Sequence, residues 1–468
     1  MRQLLVSINQ RQVGTLHERD DLWVFEYDAQ WLNAPDCFDL SPALPRSRQK
    51  HADGGSHRPV QWYFDNLLPE ERLREAVAQE ANISADDAFA LLAYLGAESA
   101  GSLTLLPAEA AWPLEGGLQV LTDADLSQRI NNMPRQTLTQ SAPKRMSLAG
   151  AQHKLLVVLL DDSLYEPKGA TASTHILKPN HPDASSYPAS VFNEYATMKL
   201  ARAAGLAVPA VRMRYVPQPV YIIDRFDRVA QVVQKRPRAV KPGAHHSLAA
   251  SSSDTANLTS EVQRLHIIDA CQLLNKARTF KHSGASLAAL LAVIERTTNK
   301  IDTRIRLFRW LVFNILVAND DCHLKNLSFY ISHDGVALAP HYDLLATGAY
   351  YTRAFADEKA TWGKVRMAFP LPGAHYFEDV TLGSVLEAAA ALGLPERVAR
   401  RIVTEVVTRV PKAVAELAAD LAQQSASVPA QAKAALAAEA RFLAVLEHII
   451  LHDMLGRLQD PKPIAALR

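Results

Sequence analysis

The 468-residue chain carries a formal charge of +1, is 48% hydrophobic and 21% charged, the composition of a soluble chain long enough to bury several cores. So small a net charge excludes a global field drawing the chain to nucleic acid or an anionic membrane. The scattered Cys37, Cys271 and Cys322 exclude a disulfide framework and a C-x-x-C site, and no signal-like start or long apolar span is present, so a cytoplasmic protein is expected.

In chain order, residues 1–108 alternate short β-rich runs (4–8, Leu22–Tyr27) with Pro-rich turns. A helical stretch follows Pro69 to about Gly96, and 101–107 return to strand character, which together predict a small N-terminal α+β module. Residues 109–144 read as a connector with one helix. The segment 145–228 alternates strand, loop and helix: strands over Leu155–Leu160, 175–178 and 220–223, and a helix over 190–204 stopped by Gly205. Residues 229–262 hold the basic run Lys235-Arg-Pro-Arg238 with Lys241, then serines 251–253, a composition that predicts a flexible insert with solvated charges rather than a DNA contact. From 263 to 468 helical patterns dominate, among them 382–392, 395–417 and 430–451.

The chemistry begins where the apolar run 311–317 leads directly into Ala318-Asn-Asp-Asp-Cys-His-Leu-Lys-Asn326. Charged groups on the end of an apolar element are costly unless exposed or used. Asp321 and Asn326 have the D-x-x-x-x-N spacing of protein-kinase-type phosphoryl transfer, in which the aspartate serves the attacking hydroxyl and the asparagine ligates magnesium. A hairpin predicted over 329–339 then leads to Tyr342-Asp343-Leu344, where Asp343 supplies a second metal-binding carboxylate. The same spacing is also compatible with an ordinary turn-rich loop, so the rest of a nucleotide site is required.

Lys178 at the end of its predicted strand and Glu194 in the following helix have a separation suited to a strand-to-helix ion pair serving ATP phosphates, though each residue taken singly also fits a solvated surface pair. Upstream, Ser147-Leu-Ala-Gly-Ala-Gln-His-Lys154 offers small residues whose backbone N–H groups can approach phosphates, with Lys154 adding charge. Its single glycine, Gly150, matches neither the Walker A pattern nor G-x-G-x-x-G.

Taken together, Phe64-Asp-Asn-Leu-Leu-Pro-Glu70, Ser147-Leu-Ala-Gly-Ala-Gln152, His175-Ile-Leu-Lys178, Asn193-Glu-Tyr195, Asp224-Arg-Phe-Asp-Arg228, Arg264-Leu-His266, Cys271-Gln272 and Asp321-x-His-x-Lys-Asn326, in this order, resemble the HipA family of serine/threonine kinase toxins across nearly the whole chain. The resemblance implies an α+β, two-lobed, protein-kinase-like (phosphatidylinositol-3/4-kinase-like) fold. Its parts would be a mixed α/β small lobe, an all-helical large lobe and the added N-terminal module. It also implies ATP and Mg2+ as cofactors, a HipB-like helix-turn-helix antitoxin bound to operator DNA as partner, and an aminoacyl-tRNA synthetase, such as glutamyl-tRNA synthetase, as the phosphorylated protein. Growth arrest and persistence would follow.

Residue by residue, the resemblance makes Asp321 the catalytic aspartate, Asn326 and Asp343 the metal ligands, and Lys178, oriented by Glu194, the phosphate-binding lysine. Ala149, Gly150, Ala151, Gln152, His153 and Lys154 correspond to the phosphate loop. Asp224, Arg225 and Phe226 correspond to the segment holding adenine, and His323, Leu324, Lys325 and Tyr342 border the nucleotide. Ser147 corresponds to the serine whose self-phosphorylation ejects the loop and silences the kinase. Two features depart from the pattern: His153 stands where an acidic residue is frequent, and the insert 229–262 is long. Two rival readings are a metal-dependent hydrolase using Asp321-x-His323 and His341-x-Asp343 as ligand pairs, and a catalytically silent co-repressor or scaffold acting with a DNA-binding antitoxin.

Overall fold

Strand alternation in the first hundred residues builds a five-stranded antiparallel sheet, as seen in the computed structural model, which describes residues 1–110, 115–147, 149–230, 262–424 and 430–459. Its order is Lys50–Ala52, Leu22–Tyr27, Arg11–Arg19, Arg2–Ile8, Leu103–Pro107. Trp23, Phe25 and Tyr27 point from one strand to one face and are buried there, as period-two patterning requires. Gly14 is demanded by that packing, since a Cβ there would lie 2.6 Å from the Phe25 ring. The helices Pro59–Asp65, Glu71–Ala81 and Ala88–Leu95 contribute to the same core: Phe64 and Phe89 meet Phe25 and Trp23 at centroid distances of 5.7 and 5.3 Å. The first of these helices, which begins on Pro59, and the strands Arg11–Arg19 and Lys50–Ala52 were not anticipated from sequence.

The chain divides into two compact units, one of residues 1–37, 46–177 and 224–267, the other of 38–45, 178–223 and 268–468. These limits cut across the expected segment 145–228. In the first unit a second antiparallel arrangement runs Gly116–Val120, Ser163–Gly169, Leu155–Leu160, His175–Pro179. Asp161 and Asp162, both at positive φ, make the tight two-residue turn that Asp–Asp chemistry permits. The expected connector supplies the edge strand Gly116–Val120 as well as its helix, Asp123–Asn132. The short pair Arg228–Ala230 and Val262–Arg264 frames the insert, whose residues 231–261, basic run and serine patch included, lie outside the described residues.

The second unit contains the helix Ser190–Ala203, the hairpin Val211–Tyr215 with Pro219–Asp224, and the helices Leu287–Arg296 and Lys300–Leu316. The predicted hairpin is present as Ser328–Ser332 paired with Gly335–Leu338. Beyond it the expectation of an all-helical large lobe is corrected. Arg366–Leu371 and Ala374–Tyr376 form a further hairpin, whose alternate residues Met367, Phe369 and Leu371 are buried. That six-residue alternation was masked by the Ala- and Leu-rich helices around it, Leu382–Ala391, Glu396–Gln424 and Lys433–Val445. Trp310, fully buried, packs edge-on against Phe369 at 5.4 Å and joins the hairpin to the central helix Lys300–Leu316. Among the described residues no helix is long and apolar enough to cross a membrane.

Candidate active site

The strand His175–Pro179 ends in a buried lysine. Lys178 Nζ donates to both carboxylate oxygens of Glu194, at 2.7 and 2.9 Å, and to Asp343 Oδ1 at 2.6 Å. The helix carrying Glu194 is fixed at its start: Asn180 Oδ1 accepts the Val191 N–H at 2.9 Å, and Ser190 Oγ accepts the His181 N–H at 2.7 Å. Burial alone would lower the Lys178 pKa, but Asp343 and Glu194 together raise it above the ordinary value, so the amine stays charged. Tyr221 lies beneath, its ring centroid 5.8 Å from Nζ. Burial, then the negative charges of Glu194 and Asp343, push the Tyr221 phenol well up.

Asp343 arrives from the hairpin in a left-handed conformation, φ +56°. Before it, Tyr342 donates its hydroxyl proton to the Lys325 carbonyl at 2.9 Å, and Lys325 itself pairs with Asp269 at 3.0 Å. Asp269 also caps the short helix Ala270–Leu273 through a reciprocal pair with Gln272. After it, the Asn193 carboxamide accepts the Ala346 N–H at 2.8 Å and donates to Tyr350 Oη at 3.1 Å. Asn193 therefore ties the lysine-orienting helix to the segment bearing Asp343. Asn193 stands in the motif Asn193-Glu-Tyr195, whose spacing assigns it no role.

The catalytic-loop candidate leaves the helix Lys300–Leu316 through Ala318 at φ +54°. Asn319 shapes the turn, donating from Nδ2 to Asn314 Oδ1 at 2.7 Å and accepting the Asp321 N–H at 3.1 Å. Asn326 Nδ2 and the His323 N–H both donate to the Asp321 carbonyl, each at 2.9 Å. Asp321 and Asn326 are thus joined through backbone, with the Asp321 side chain half exposed at 52% and Asn326 and Leu324 buried. Its neighbour Asp320 is engaged instead, accepting from the Tyr351 hydroxyl at 3.1 Å, and burial raises its pKa.

His341 is placed elsewhere. Its ring stacks on Trp310 in the core. Burial first, and the Arg306 charge second, lower its pKa to about 3, so it is a neutral core imidazole. The hydrolase reading, which needed His341 beside Asp343 as a ligand pair, loses that ligand.

The loop residues belong to the first unit. Ser147 is buried, its N–H donating to the Glu98 carbonyl at 2.7 Å and its hydroxyl to the Leu67 carbonyl at 2.6 Å. Leu148 lies outside the described residues. Gly150, at φ +109°, bridges to Pro69, and its carbonyl accepts the Glu70 N–H at 3.2 Å. Lys154 folds back so that Nζ donates to the Ala149 carbonyl at 2.7 Å. Ala151 is exposed, and Gln152 and His153 are half-buried. Asp224 pairs with His175 at 3.1 Å, Phe226 is half-buried, and Arg225 points inward.

That inward direction ends on Glu98, which sequence reasoning missed. Glu98 Oε1 accepts from Arg225 at 3.3 Å, Arg228 at 2.9 Å and the Ser173 hydroxyl at 2.7 Å, while Oε2 accepts from Lys144 at 2.9 Å. Arg225 also forms a two-pronged pair with Asp227, at 2.9 and 2.7 Å. Burial would raise the Glu98 pKa, but Lys144, Arg264, Arg228 and Arg225 hold it well below the usual carboxylate range. A lone glutamate between Tyr94 and Gly101 carries no local pattern, because its partners come from four distant segments.

Comparison with known proteins places the chain in a family. The HipA-like C-terminal domain matches residues 146–414 and the HipA N-terminal domain matches residues 4–106. The Sinorhizobium fredii protein Y4mE is 32% identical over 70% of this chain and 72% of its own. The serine/threonine-protein kinase toxin HipA of Shewanella oneidensis is 27% identical over 70% of this chain and 71% of its own. A chain of the solved Shewanella oneidensis complex of HipA, HipB and operator DNA superposes with a TM-score of 0.71 at 22% identity, covering 98% of this chain and 100% of that one. The fold and these relatives define a protein kinase, an enzyme class that uses ATP. Within that class, the chain belongs to the HipA family of kinase toxins.

Proposed function

We propose that this kinase transfers the γ-phosphate of ATP to a serine of a host protein, an aminoacyl-tRNA synthetase such as glutamyl-tRNA synthetase, and so stalls translation and growth. The observation that carries the reading is Lys178 held between Glu194 and Asp343 within hydrogen-bonding distance of both. A buried, permanently charged lysine fixed by two carboxylates is suited to phosphates and would be wasteful as a surface pair.

In this mechanism Lys178 binds the phosphates, Glu194 orients it, and Asp321, the exposed carboxylate of its loop, accepts the proton of the attacking serine. Backbone N–H groups of Ala149, Gly150, Ala151, Gln152, His153 and Lys154 are assigned to the phosphates, and backbone groups of Asp224, Arg225 and Phe226 to the adenine. The side chain of Arg225 is already committed to Asp227 and Glu98, and its N–H donates to the Thr174 carbonyl at 2.9 Å, so its carbonyl is the atom left for that role. His323, Leu324, Lys325 and Tyr342 border the nucleotide.

Asn326 and Asp343 would hold Mg2+. Both offer oxygen, the donor magnesium prefers, and Asn326 Nδ2 is spent on the Asp321 carbonyl, which turns the amide oxygen the other way. When bound, the ion supplies positive charge against the phosphate oxygens. Ser147, which is buried, is the proposed self-phosphorylation site. The proposed partner is a HipB-like helix-turn-helix antitoxin on operator DNA, supported by the Shewanella complex of similar fold, and the proposed location is the cytoplasm.

The test is transfer of labelled phosphate from ATP by the wild type and by Asp321→Gln in the presence of a panel of purified synthetases. Label in a synthetase and at Ser147 with the wild type only is expected. Label in neither protein would overturn the proposal and favour the scaffold reading.

A further inference from the structure

One cluster of potential ligands gathers around the candidate base: Asp321 itself, His323, and His282, which has no part in the mechanism above. His282 is exposed, in the turn that follows the short helix Arg278–Phe280. The turn is held against the catalytic loop by the Leu324 N–H, which donates to the Lys281 carbonyl at 3.2 Å, and is closed internally by the Ala285 N–H, which donates to the His282 carbonyl at 3.0 Å. Gly284 permits the approach, since a Cβ there would stand 2.7 Å from the Phe280 carbonyl and 3.2 Å from Leu324 Cδ1.

The result is that His282 faces both Asp321 and His323. Its Nε2 lies 4.0 Å from Asp321 Oδ1, and its ring meets the His323 ring edge-to-face at a centroid distance of 4.7 Å. One ligand atom from each of the three residues lies within 4.8 Å of the other two. Around a shared ion at about 2.0–2.2 Å from each, such atoms stand roughly 3.2–3.5 Å apart. The adjustment is therefore of the order of 1 Å, and the half-exposed side chains of His282 and Asp321 have the freedom to make it.

We propose that His282, Asp321 and His323 form a site for a zinc-type dication, whose occupancy withdraws the Asp321 carboxylate from phosphoryl transfer. Two imidazoles and one carboxylate are a donor set for zinc or a similar borderline-soft metal, with an open position left for water. Magnesium, which takes oxygen ligands and sheds water reluctantly, is not drawn there. The two metal preferences differ by donor: imidazole nitrogens from His282 and His323 beside Asp321, oxygens alone from Asn326 and Asp343. The site is inhibitory and shares Asp321 and His323 with the hydrolase centre considered above, but its second histidine is His282 rather than His341, which is in the core.

The inhibitory consequence rests on Asp321 being the base; the binding does not. Full-length wild type and His282→Ala would first be titrated with zinc, without ATP, against a chromophoric chelator. The wild type should take one zinc that the variant does not, or takes at least ~10-fold more weakly, the scale set by losing one support of a metal site. Phosphotransfer at fixed Mg·ATP would then be followed as zinc is raised. The basal rates should match, and the variant should need at least ~10-fold more zinc for half inhibition. Equal zinc affinity in both forms would overturn the site, leaving only an aromatic and electrostatic contact. Zinc lost from the variant with inhibition unchanged would overturn the inhibitory role. Inactivity of both proteins would count against Asp321 as base while the titration still decided the site.

Discussion

Lys178 Nζ and Asp343 Oδ1 stand 2.6 Å apart, with Glu194 completing the lysine's coordination. The residue assigned to the phosphates and the residue assigned to the metal are thus each other's ligands here. Magnesium and Lys178 must compete for the same carboxylate oxygen unless phosphates draw the lysine away. Lys178→Met should therefore abolish phosphotransfer yet strengthen binding of a divalent ion in the absence of nucleotide. The gain should be about tenfold, the weight of one charge-assisted hydrogen bond. Manganese titration followed by electron paramagnetic resonance reads it directly; weaker binding in the variant would show that Asp343 does not hold the ion.

Glu98 is the hub of the first unit, and its removal should be expensive. Glu98→Gln leaves Lys144, Arg225 and Arg228 buried with Asp227 as the remaining carboxylate near the two arginines. Breaking a buried ionic group on one side typically costs about 3–5 kcal/mol, and that loss is expected in urea unfolding at neutral pH. The pH dependence follows from the sign of the shift. Because the folded-state pKa of Glu98 is depressed below 4.5, its contribution is present above that value and fades as pH falls through the folded pKa. The gap between wild type and variant should close in acid; a gap that persists there would mean that packing, not charge, is what Gln disturbs.

Legibility in the sequence followed the range of the interactions. The D-x-x-x-x-N spacing, the strand before Lys178 and the helix with Glu194 are local patterns; within the second unit Lys178 meets Glu194, and Asn326 meets the Asp321 carbonyl. Asp343 also meets Lys178, because a hairpin of readable length connects it to the loop. Glu98 and Asn193 were opaque for the opposite reason. Neither belongs to a periodic pattern, and the meaning of each lies in partners tens to more than a hundred residues away. The edge strand Gly116–Val120 was missed because it opens on two glycines and leaves only three residues, too short an alternation to read. His341 misled because ligand spacing says nothing about burial.

His341 should make the second unit sensitive to mild acid. Above its ordinary pKa of 6.5 both folded and unfolded forms are neutral, and the residue contributes no slope. Below 6.5 the unfolded chain binds a proton that the folded form refuses until about pH 3, so stability falls as pH falls. Between pH 7 and pH 5 the loss amounts to about 2 kcal/mol, at about 1.4 kcal/mol per pH unit below 6.5. In His341→Phe, which keeps a ring against Trp310, that part of the slope should vanish. Parallel denaturation midpoints of wild type and variant over this range would refute the assignment.

The burial of Ser147 makes its release a step with its own cost, and Lys144 is placed to set it. Three residues before the serine, Lys144 Nζ donates to Glu98 Oε2 and to the Thr171 carbonyl at 2.9 and 3.1 Å. The Ser147 N–H donates to the backbone carbonyl of the same Glu98. The start of the loop is therefore pinned through one residue by side chain and main chain together. Lys144→Met keeps the apolar stem and removes only the charge. It leaves Glu98 its arginine partners, so the unit should remain folded. Opening of the loop should become easier by ~1.5–3 kcal/mol, the value of a hydrogen bond between charged groups, or roughly 10- to 150-fold in local equilibrium. Hydrogen exchange at the Ser147 amide reads this opening without any phosphotransfer, and it should quicken there while amides of Leu155–Leu160 stay protected. With ATP present, phosphate on Ser147 should accumulate faster by a similar factor if the serine is its own kinase's substrate. Faster exchange without faster phosphorylation would separate the two claims, keeping Lys144 as the pin and removing Ser147 as the acceptor.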